Sequence, residues 1–252
     1  MTLMRIKINF ALDREIRIPI EYNYHVYLAL RRTLFAYLRK HEAKLEYKYK
    51  KKFPHLTFSQ LLIPQRRVEF AFITIASPYM SLILGSSDQR FLELLAAALQ
   101  DRGRFPLYRN QVRVTKIQVL EEPFFTPRMN WKMLSPLILA RRKSGKIFFA
   151  QPTDADLSSL LAGNLISRYQ RLLPRPVGQE EILITLNPDY MRSHRNLTKL
   201  TTVRNLHYKA IICPFSLKAP IELTRLAYAG GIGEKTQYGF GMIEPANSEI
   251  TE

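Results

Sequence analysis

Cysteine is nearly absent from this 252-residue sequence, in which Cys213 is the only one. A single cysteine excludes an internal disulfide and predicts a reducing, cytoplasmic compartment. The five histidines are scattered without an H-x-x-x-H pairing, so a Cys/His zinc cluster is excluded as well. We therefore expect neither a metal nor another cofactor.

Long apolar runs and acidic residues are also scarce. The longest apolar stretches, such as VEFAFITIAS, are too short for a membrane helix, and the charged, strand-like start of the chain does not resemble a signal peptide. No membrane partner is therefore expected. Acidic residues number 21 against 38 Lys and Arg, for a formal net charge of +17.

The basic excess is spread over the whole chain. There are 21 basic and 11 acidic residues through residue 126, and 17 against 10 after it. A folded body that is basic throughout indicates a polyanionic partner, with nucleic acid first. A thermophile-like surface, or a basic face that meets an acidic protein, would give the same charge.

Hydrophobic patterns predict an α+β fold in the first half. An alternating strand over residues 4–12 precedes a helix over 24–41, for which Asn23 is a candidate cap. A basic segment follows, and then come strands over 66–77 and 79–85, a helix over 86–100 with a Ser/Asp cap, and a strand over 110–120. The order β-α-β-β-α-β is that of a ferredoxin-like domain.

A second unit of the same kind is predicted after a break at Pro123 and Pro127. The predicted domains are residues 1–123 and 124–252. The later elements are strands over 132–141, 145–150, 180–187, 207–219 and 240–245, with helices over 153–173 and 220–230. The expected fold class is two tandem ferredoxin-like, or RRM-like, domains.

Glycine is sparse, yet half of the ten glycines lie in the stretch GGIGEKTQYGFGMIEP, residues 230–245. Glycine allows positive φ and a close approach of the backbone to another molecule. One interpretation is a loop that touches a ligand with main-chain N–H groups, and the other is a tight helix-to-strand connection without a ligand. The stretch lacks the G-K-[ST] of a P-loop, and a helix precedes it, the reverse of the Rossmann order.

This stretch resembles the carboxyl-terminal glycine-rich signature of the RAMP superfamily of CRISPR-associated proteins. It is most similar to that of the sixth Cas protein family, the endoribonucleases that cut CRISPR precursor RNA within its repeats. Residues 231–241 match the family's G-x-G-E-K-x-x-x-G-F-G. Two further segments are similar to the family: IPIEYNYHVYLAL resembles its P-x-x-Y-N entry into the first helix, and FPHLTFSQLL resembles its F-x-x-F-T-F-S-x-L segment.

The resemblance implies two ferredoxin-like domains that grip a repeat RNA and cleave it without a metal. The ribose 2′-hydroxyl attacks the adjacent phosphate and leaves a 2′,3′-cyclic phosphate and a 5′-hydroxyl. This reaction needs a base, an acid for the leaving oxygen and a cation for the phosphorane. In the family a His after the first helix is the usual base, helped by Tyr and Lys. We therefore expect His41 as the base, with Tyr47, Lys48 and Lys51 as catalytic partners.

Two departures from the family pattern leave alternatives open at this site. Lys40 stands where the family has a Leu before its His, and a gap-free alignment on TFS places Lys48 at the catalytic position. His41 is otherwise a packed histidine at a helix end, and His55 is then the reserve base.

Candidate RNA contacts are basic side chains, tyrosines and the glycine-rich loop. Clustered lysines in EYKYKKK repel one another unless an anion lies among them, and the interleaved tyrosines can stack on bases, although such a run can also be a solvated loop. The predicted contacts are Tyr49, Lys50 and Lys52 in this segment, Arg141, Arg142, Lys143 and Lys146 in the basic hairpin RRKSGK, and Gly231, Gly233, Lys235, Gln237, Gly239 and Gly241 in the loop.

The predicted function is that of a CRISPR repeat endoribonuclease that releases guide RNAs, with precursor and mature guide RNA as partners. The alternative is a non-catalytic RAMP subunit that holds guide RNA in an effector complex. The resemblance is also compatible with other Cas effector subunits as partners and with a homodimer. A ribosomal or RNA-modification accessory protein would explain the charge but not the three motif matches.

Overall fold

The computed structural model describes residues 4–51 and 55–246. The chain divides into two compact units. The first comprises Met1–Glu122 with Gln237–Gly239, and the second comprises Pro123–Thr236 with Phe240–Glu252. Each unit is described below by itself.

The first unit is built on an antiparallel sheet covered by helices. Its elements in chain order are β1 (Met4–Ala11), β2 (Ile16–Pro19), α1 (Asn23–His41), α2 (Ala43–Lys51), β3 (Leu56–Phe58), β4 (Arg66–Glu69), β5 (Phe72–Ile75), β6 (Tyr79–Ser86), α3 (Gln89–Arg102), β7 (Arg104–Leu107) and β8 (Asn110–Leu120). The main sheet has the strand order β3-β6-β1-β8-β7, and a second sheet has the order β2-β5-β4.

Helix α1 forms because apolar residues recur at helical spacing over a long stretch. Val26, Leu30, Leu34 and Leu38 follow one another at i, i+4 and are all buried. These side chains belong to the same core cluster as Ile6, Ile8 and Phe10 of β1. The buried stripe leaves the last turn of α1, with its basic residues, at the surface.

Three local features of the first unit differ from the sequence-based expectation. The basic segment after α1, for which no regular structure was predicted, forms helix α2. The strand expected over 66–77 is a hairpin, β4 and β5, which turns at Phe70 and Ala71. The Asn23 side chain does not cap α1, because Asn23 is already the first helical residue and Tyr22 holds the cap position. The expected cap of α3 is confirmed, since the Asp88 carboxylate accepts a hydrogen bond from the Phe91 N–H.

The second unit repeats this plan with two added hairpins. Its elements are β9 (Arg128–Met133), β10 (Ala140–Lys143), β11 (Lys146–Phe149), α4 (Leu157–Tyr169), β12 (Leu183–Leu186), α5 (Pro188–Ser193), β13 (Thr198–Val203), β14 (Leu206–Ile211), β15 (Phe215–Lys218), α6 (Ile221–Gly230) and β16 (Ile243–Pro245). The sheet order is β12-β15-β9-β16, with β10–β11 and β13–β14 as separate two-stranded hairpins.

The predicted fold class is confirmed in both units. Strands β1, β3, β6 and β8, with α1 and α3 between them, reproduce the β-α-β-β-α-β order and its strand arrangement. Strands β9, β12, β15 and β16, with α4 and α6, do so again. Two long strands were predicted wrongly: residues 132–141 and 207–219 are each interrupted, near Pro136 and Pro214, because proline lacks the N–H that a ladder needs.

No helix in the described part of the chain is long and apolar enough to cross a membrane.

Candidate nucleic-acid interface

His41 is the last residue of α1, and its side chain is exposed. The imidazole packs on the ring of Tyr37, one helical turn earlier, with 4.4 Å between ring centroids and 33° between the planes. Arg39 and Lys40 lie in the same last turn. The helix end therefore presents an accessible, oriented imidazole in cationic surroundings.

A cavity of about 270 Å³ opens between α1 and α3 beside this histidine. Tyr37 belongs both to the cavity wall and to the stack with His41. Two exposed cations, Lys40 and Arg102, and one exposed carboxylate, Asp101, complete the polar part of the wall. The sequence analysis missed Tyr37 and Arg102, although the i, i+4 spacing of Tyr37 and His41 was visible within one predicted helix.

The two tyrosines of helix α2 lie on opposite sides of the helix, one exposed and one buried. The Tyr47 side chain is 72% exposed, whereas Tyr49 is 2% exposed and packs edge-to-face on Phe91 at 5.4 Å. The Tyr49 hydroxyl lies 3.4 Å from an Asp88 carboxylate oxygen, and burial together with that carboxylate raises its pKa to about 12. Tyr49 is therefore a core residue, and the expectation that its ring stacks on an RNA base is wrong.

The lysines of α2 differ in their surroundings. Lys50 pairs with Glu46 at 2.9 Å, and Arg39 reaches the same Glu46 oxygen at 3.5 Å. Lys48 is exposed, with its ammonium 5.3 Å from the centroid of the Tyr49 ring. Lys51 ends the helix, and Lys52 lies outside the described residues. Lys48 is thus an exposed cation beside the buried Tyr49 ring, whereas Lys50 is engaged by Glu46.

His55, the reserve base, precedes β3 and is half-buried. Its Nδ1 lies 3.3 Å from the Ser87 hydroxyl. This contact gives His55 a structural partner.

The glycines of the loop face the protein interior. Gly231, Gly233, Gly239 and Gly241 have φ between 66° and 81°, and all four are buried. A Cβ at Gly241 would overlap the carbonyl oxygen of Ile232, and a Cβ at Gly233 would overlap the Leu137 side chain. Close packing within the chain therefore demands these glycines.

Main-chain donors of this segment also bond inside the chain. The Gly241 N–H donates to the Pro136 carbonyl at 2.8 Å, and the Ile232 N–H donates to the Gly241 carbonyl at 2.9 Å. The Gly231 N–H donates to Ala227, at the end of α6. The structure contradicts the predicted contact of the loop glycines with RNA. Gly231, Gly233, Gly239 and Gly241 are buried, and they allow the loop its conformation.

Arg168 and Tyr169 of α4 hold this loop in place through side-chain hydrogen bonds. The Arg168 guanidinium donates to the carbonyl oxygens of Gly233 at 3.0 Å and Gly230 at 2.9 Å, and to the Thr236 hydroxyl at 2.7 Å. The Tyr169 hydroxyl donates to the Gly231 carbonyl at 2.7 Å. Neither residue carried a local sequence signal, because its partners lie more than 60 positions away in the chain.

The three motifs that carry the family resemblance meet at one point of the first unit. The Asn23 amide donates to the carbonyl oxygens of Tyr238 and Gly239 at 2.9 and 3.1 Å. A Cβ at Gly239 would overlap the Phe58 ring of β3. The Y-N, T-F-S and glycine-rich segments, which lie far apart in the chain, thus contact one another.

Two polar residues of the loop remain available at its surface. Lys235 is exposed at φ 58°, with its ammonium 5.9 Å from the centroid of the Tyr208 ring. Gln237 is half-buried. These two side chains, rather than the glycines, are what the loop can present to a ligand.

The four cations of the basic hairpin β10–β11 also differ in their exposure and pairing. Arg141 donates to Asp154 at 2.6 Å and to Asp156 at 2.8 Å, so its charge is compensated within the protein. The pKa of Asp154 is lowered, chiefly by the Gln151 N–H and further by Arg141. Arg142, Lys143 and Lys146 are exposed on the hairpin, and Ser144 and Gly145 form its tip. Arg141 is thus a structural residue, and the other three cations fit a polyanion.

Comparison with known proteins agrees with this fold and these motifs. The family model described as CRISPR associated protein Cas6, C-terminal, matches residues 120–245, which is half of the chain. The CRISPR-associated endoribonuclease Cas6 1 of Methanocaldococcus jannaschii is 25% identical over 251 residues, 95% of this chain and 92% of that protein. The endoribonuclease-like protein Cas6nc of Pyrococcus horikoshii is 24% identical over 234 residues, 90% of this chain and 92% of that protein.

A solved structure shows the same fold over the full length of the chain. The protein of a Cas6-related gene from Pyrococcus furiosus superposes with a TM-score of 0.83 at 21% identity, covering 98% of this chain and 100% of that one. The resemblance expected from three short motifs is confirmed by the family match. The chain belongs to the Cas6 family of CRISPR-associated proteins.

Proposed function

We propose that this protein binds CRISPR repeat RNA and cleaves it by metal-independent attack of a ribose 2′-hydroxyl, with His41 as the general base. The observation that carries the proposal is the exposed imidazole of His41, stacked on Tyr37 beside a cavity whose wall includes Lys40 and Arg102. The related protein of Methanocaldococcus jannaschii is named as an endoribonuclease, which supports the same class of reaction.

The surroundings of His41 suit a proton acceptor. The Tyr37 ring restricts the orientation of the imidazole, which stays exposed to solvent. The carbonyl groups of the last turn of α1 attract the positive charge that the ring gains with a proton. His41 thus combines access with a place for the charge that the reaction creates.

The chemical step balances with groups that the RNA and the protein supply. His41 takes the proton of the 2′-hydroxyl, the 2′-oxygen forms a bond to phosphorus, and the bond from phosphorus to the 5′-oxygen breaks. The leaving 5′-oxygen takes a proton from an acid, for which Tyr47 and Lys48 on α2 are the candidates. Cations at Lys40 and Arg102 stabilise the charge on the phosphorane, and Lys51 keeps the catalytic role that the sequence predicts for it.

Binding rests on exposed cations in both units. The proposed cations are Lys48 and Lys50 on α2, Arg142, Lys143 and Lys146 on the β10–β11 hairpin, and Lys235 in the glycine-rich stretch 230–245, here called the late loop. Gln237 of the same loop is a further proposed contact. With a formal net charge of +17, the protein attracts RNA from a distance, and contacts of this kind weaken steeply as salt rises. The proposed partners are precursor and mature guide RNA.

Cleavage of a labelled repeat RNA in EDTA tests the proposal. We expect a 2′,3′-cyclic phosphate product, and His41→Ala should slow single-turnover cleavage by about 10²- to 10⁴-fold with little change in RNA affinity. His194→Ala, which removes an exposed histidine of the second unit, is the matched control and should cleave at the native rate. A His41→Ala protein with undiminished activity would transfer the role of base to Lys48 or to the tyrosines.

A second candidate function is RNA binding without cleavage, within a CRISPR effector complex. Two observations favour it: Lys40 stands where the family has a Leu before its His, and the relative from Pyrococcus horikoshii is named endoribonuclease-like. Tight binding of the repeat RNA with no product would select this function. Other Cas subunits, or a second copy of the chain, would then be sought as partners.

A further inference from the structure

Phe70 lies at the tip of the β4–β5 hairpin, where its side chain is 99% exposed. Glu69 pairs with Phe72, so the turn consists of Phe70 and Ala71 alone. The φ of Phe70 is 51°, in the left-handed region. A large aromatic side chain therefore occupies a position that is both solvated and conformationally unfavourable.

Folding does not explain the choice of this residue. In a two-residue hairpin turn with positive φ only at its first position, glycine is strongly preferred, since a Cβ is unfavourable there. An exposed ring returns none of that cost, because it buries no surface. A phenylalanine at this position is explained when a second molecule covers it.

The outer face of the three-stranded sheet β2-β5-β4, beside this tip, carries a second aromatic ring and two arginines. Strand β5 alternates, so that Ile73 and Ile75 are buried while Phe72 and Thr74 face outward. The Arg17 guanidinium lies 4.5 Å above the centroid of the Phe72 ring. Arg67, which is in register with Thr74 and Arg17, lies on the same face.

The cations of this face are only weakly engaged by the protein. Arg67 pairs with Glu15 at 2.8 Å, but both side chains are more than half exposed, and such a pair contributes little. Arg17 is exposed above Phe72. A planar guanidinium that rests on an aromatic ring offers its other face to a second flat, electron-rich group.

From this combination we infer that the β4–β5 hairpin and the outer face of its sheet bind unpaired RNA bases that adjoin the repeat. Aromatic side chains and arginine planes are the surfaces on which proteins stack single-stranded bases, and neighbouring arginines neutralise the phosphates between them. Phe70 stacks one base at the tip, and Arg17 on Phe72 stacks another. The inference rests on the proposed RNA-binding function and adds a second contact region for the same RNA.

Fluorescence anisotropy with two labelled RNAs tests this assignment. One RNA is the repeat alone, and the other carries ten unpaired adenosines at each end. We expect the native protein to bind the extended RNA about 5- to 100-fold more tightly, from one or two stacked bases. Phe70→Gly should abolish most of this gain and leave the affinity for the repeat alone within about twofold.

The glycine variant separates binding from folding, because glycine suits the φ of position 70 and should keep or raise the melting temperature. Phe124→Gly removes another highly exposed ring, in the second unit, and should retain the full gain. Arg17→Lys keeps the charge but loses the guanidinium plane, and it should reduce the gain in part.

The outcomes distinguish this inference from the proposed function. If the native protein binds the repeat but gains nothing from the extension, or if Phe70→Gly keeps the gain, the inference is overturned and the function stands. If the native protein binds neither RNA, both are overturned. If Phe70→Gly changes only the sedimentation of the RNA-free protein, the hairpin is a contact between protein chains, and the assignment to RNA is wrong.

Discussion

Asn23 and Gly239 are 216 positions apart in the chain, and the Asn23 amide donates a hydrogen bond to the Gly239 carbonyl at 3.1 Å. The same nitrogen donates to the Tyr238 carbonyl at 2.9 Å, so one side chain at the start of α1 holds two consecutive residues of the late loop. The Tyr238 ring packs on Tyr27 and Tyr24, 4.8 and 5.9 Å away. This contact fixes the position of residues 237–239 in the first unit.

Substituting Asn23 should therefore destabilise the first unit. In Asn23→Ala, one buried and one partly buried carbonyl oxygen lose their donor, and we expect the free energy of unfolding to fall by about 1 to 3 kcal/mol in urea denaturation. Asn110→Ala is the control: its amide makes one exposed hydrogen bond, to the Arg17 carbonyl, and should cost less than about 1 kcal/mol. Equal losses in the two variants would show that the late loop gains nothing from Asn23.

A pair of glycine substitutions separates steric overlap from backbone strain. Gly241 and Gly145 have similar φ, 66° and 74°, but a Cβ at Gly241 would overlap the Ile232 carbonyl oxygen, whereas a Cβ at Gly145 would have open space. Gly145→Ala should cost about 1 kcal/mol, from the left-handed conformation alone. Gly241→Ala should cost more than about 3 kcal/mol or prevent folding, since a backbone atom must move. Thermal and urea unfolding of both variants measure the difference, and similar losses would contradict a packing role for Gly241.

Stability should fall in strongly alkaline solution because of Tyr22. Burial raises the pKa of its hydroxyl to about 12, although the Leu61 N–H donates to it, against about 10 in the unfolded chain. The neutral form is favoured in the folded state, so this contribution is complete below pH 10 and is lost as the pH rises through 12. The loss should reach about 2 to 3 kcal/mol at pH 12.

The Tyr22 contribution can be isolated by comparing variants in urea between pH 8 and pH 12. Tyr22→Phe should be less stable than the native protein at pH 8, by about 1 kcal/mol, because the Leu61 N–H loses its acceptor. It should lose less stability from pH 10 to 12. Tyr79→Phe, which changes a 59% exposed tyrosine, should follow the native curve. Parallel curves for Tyr22→Phe and the native protein would show that Tyr22 does not cause the loss.

Neighbouring arginines of the β10–β11 hairpin should respond differently to substitution. Arg142→Ala removes an exposed cation, so RNA affinity should fall and the dependence of log K on log salt should become shallower by about one unit at most. Arg141→Ala leaves Asp154 and Asp156 without their common partner, and we expect it mainly to lower the melting temperature. Filter binding across a salt series, with melting curves of the same proteins, measures both effects. A larger binding defect in Arg141→Ala than in Arg142→Ala would reverse these roles.

The sequence was enough to predict the fold class, because apolar residues recur with the period of each element. The sequence did not predict the role of residues whose partners lie far away in the chain. The glycines of the late loop were visible, but the groups that exclude a Cβ, such as Phe58 and the Ile232 carbonyl, were not. The glycines were therefore predicted to contact RNA, whereas they are buried and pack within the protein.

The opposite exposures of Tyr47 and Tyr49 follow from helix geometry. Leu45 and Tyr49 are four residues apart and belong to or pack against the core cluster, while Tyr47 lies between them on the other side. No helix was predicted over this segment, because the five charged residues of EYKYKKK obscured the spacing of Leu45 and Tyr49. Arg168 could not have been found at all, since no local pattern distinguishes it from Arg171.

The late position of residues 237–239 in the chain has a consequence for folding during synthesis. A ribosome completes residues 1–122 long before it reaches Gln237–Gly239, so the nascent first unit is made while the Phe58 and Asn23 positions still lack this partner segment. Closing so large a loop is entropically costly. The first unit is thus complete only after residues 237–239 are made, and removing these three residues would disturb the unit whose other residues are synthesised first.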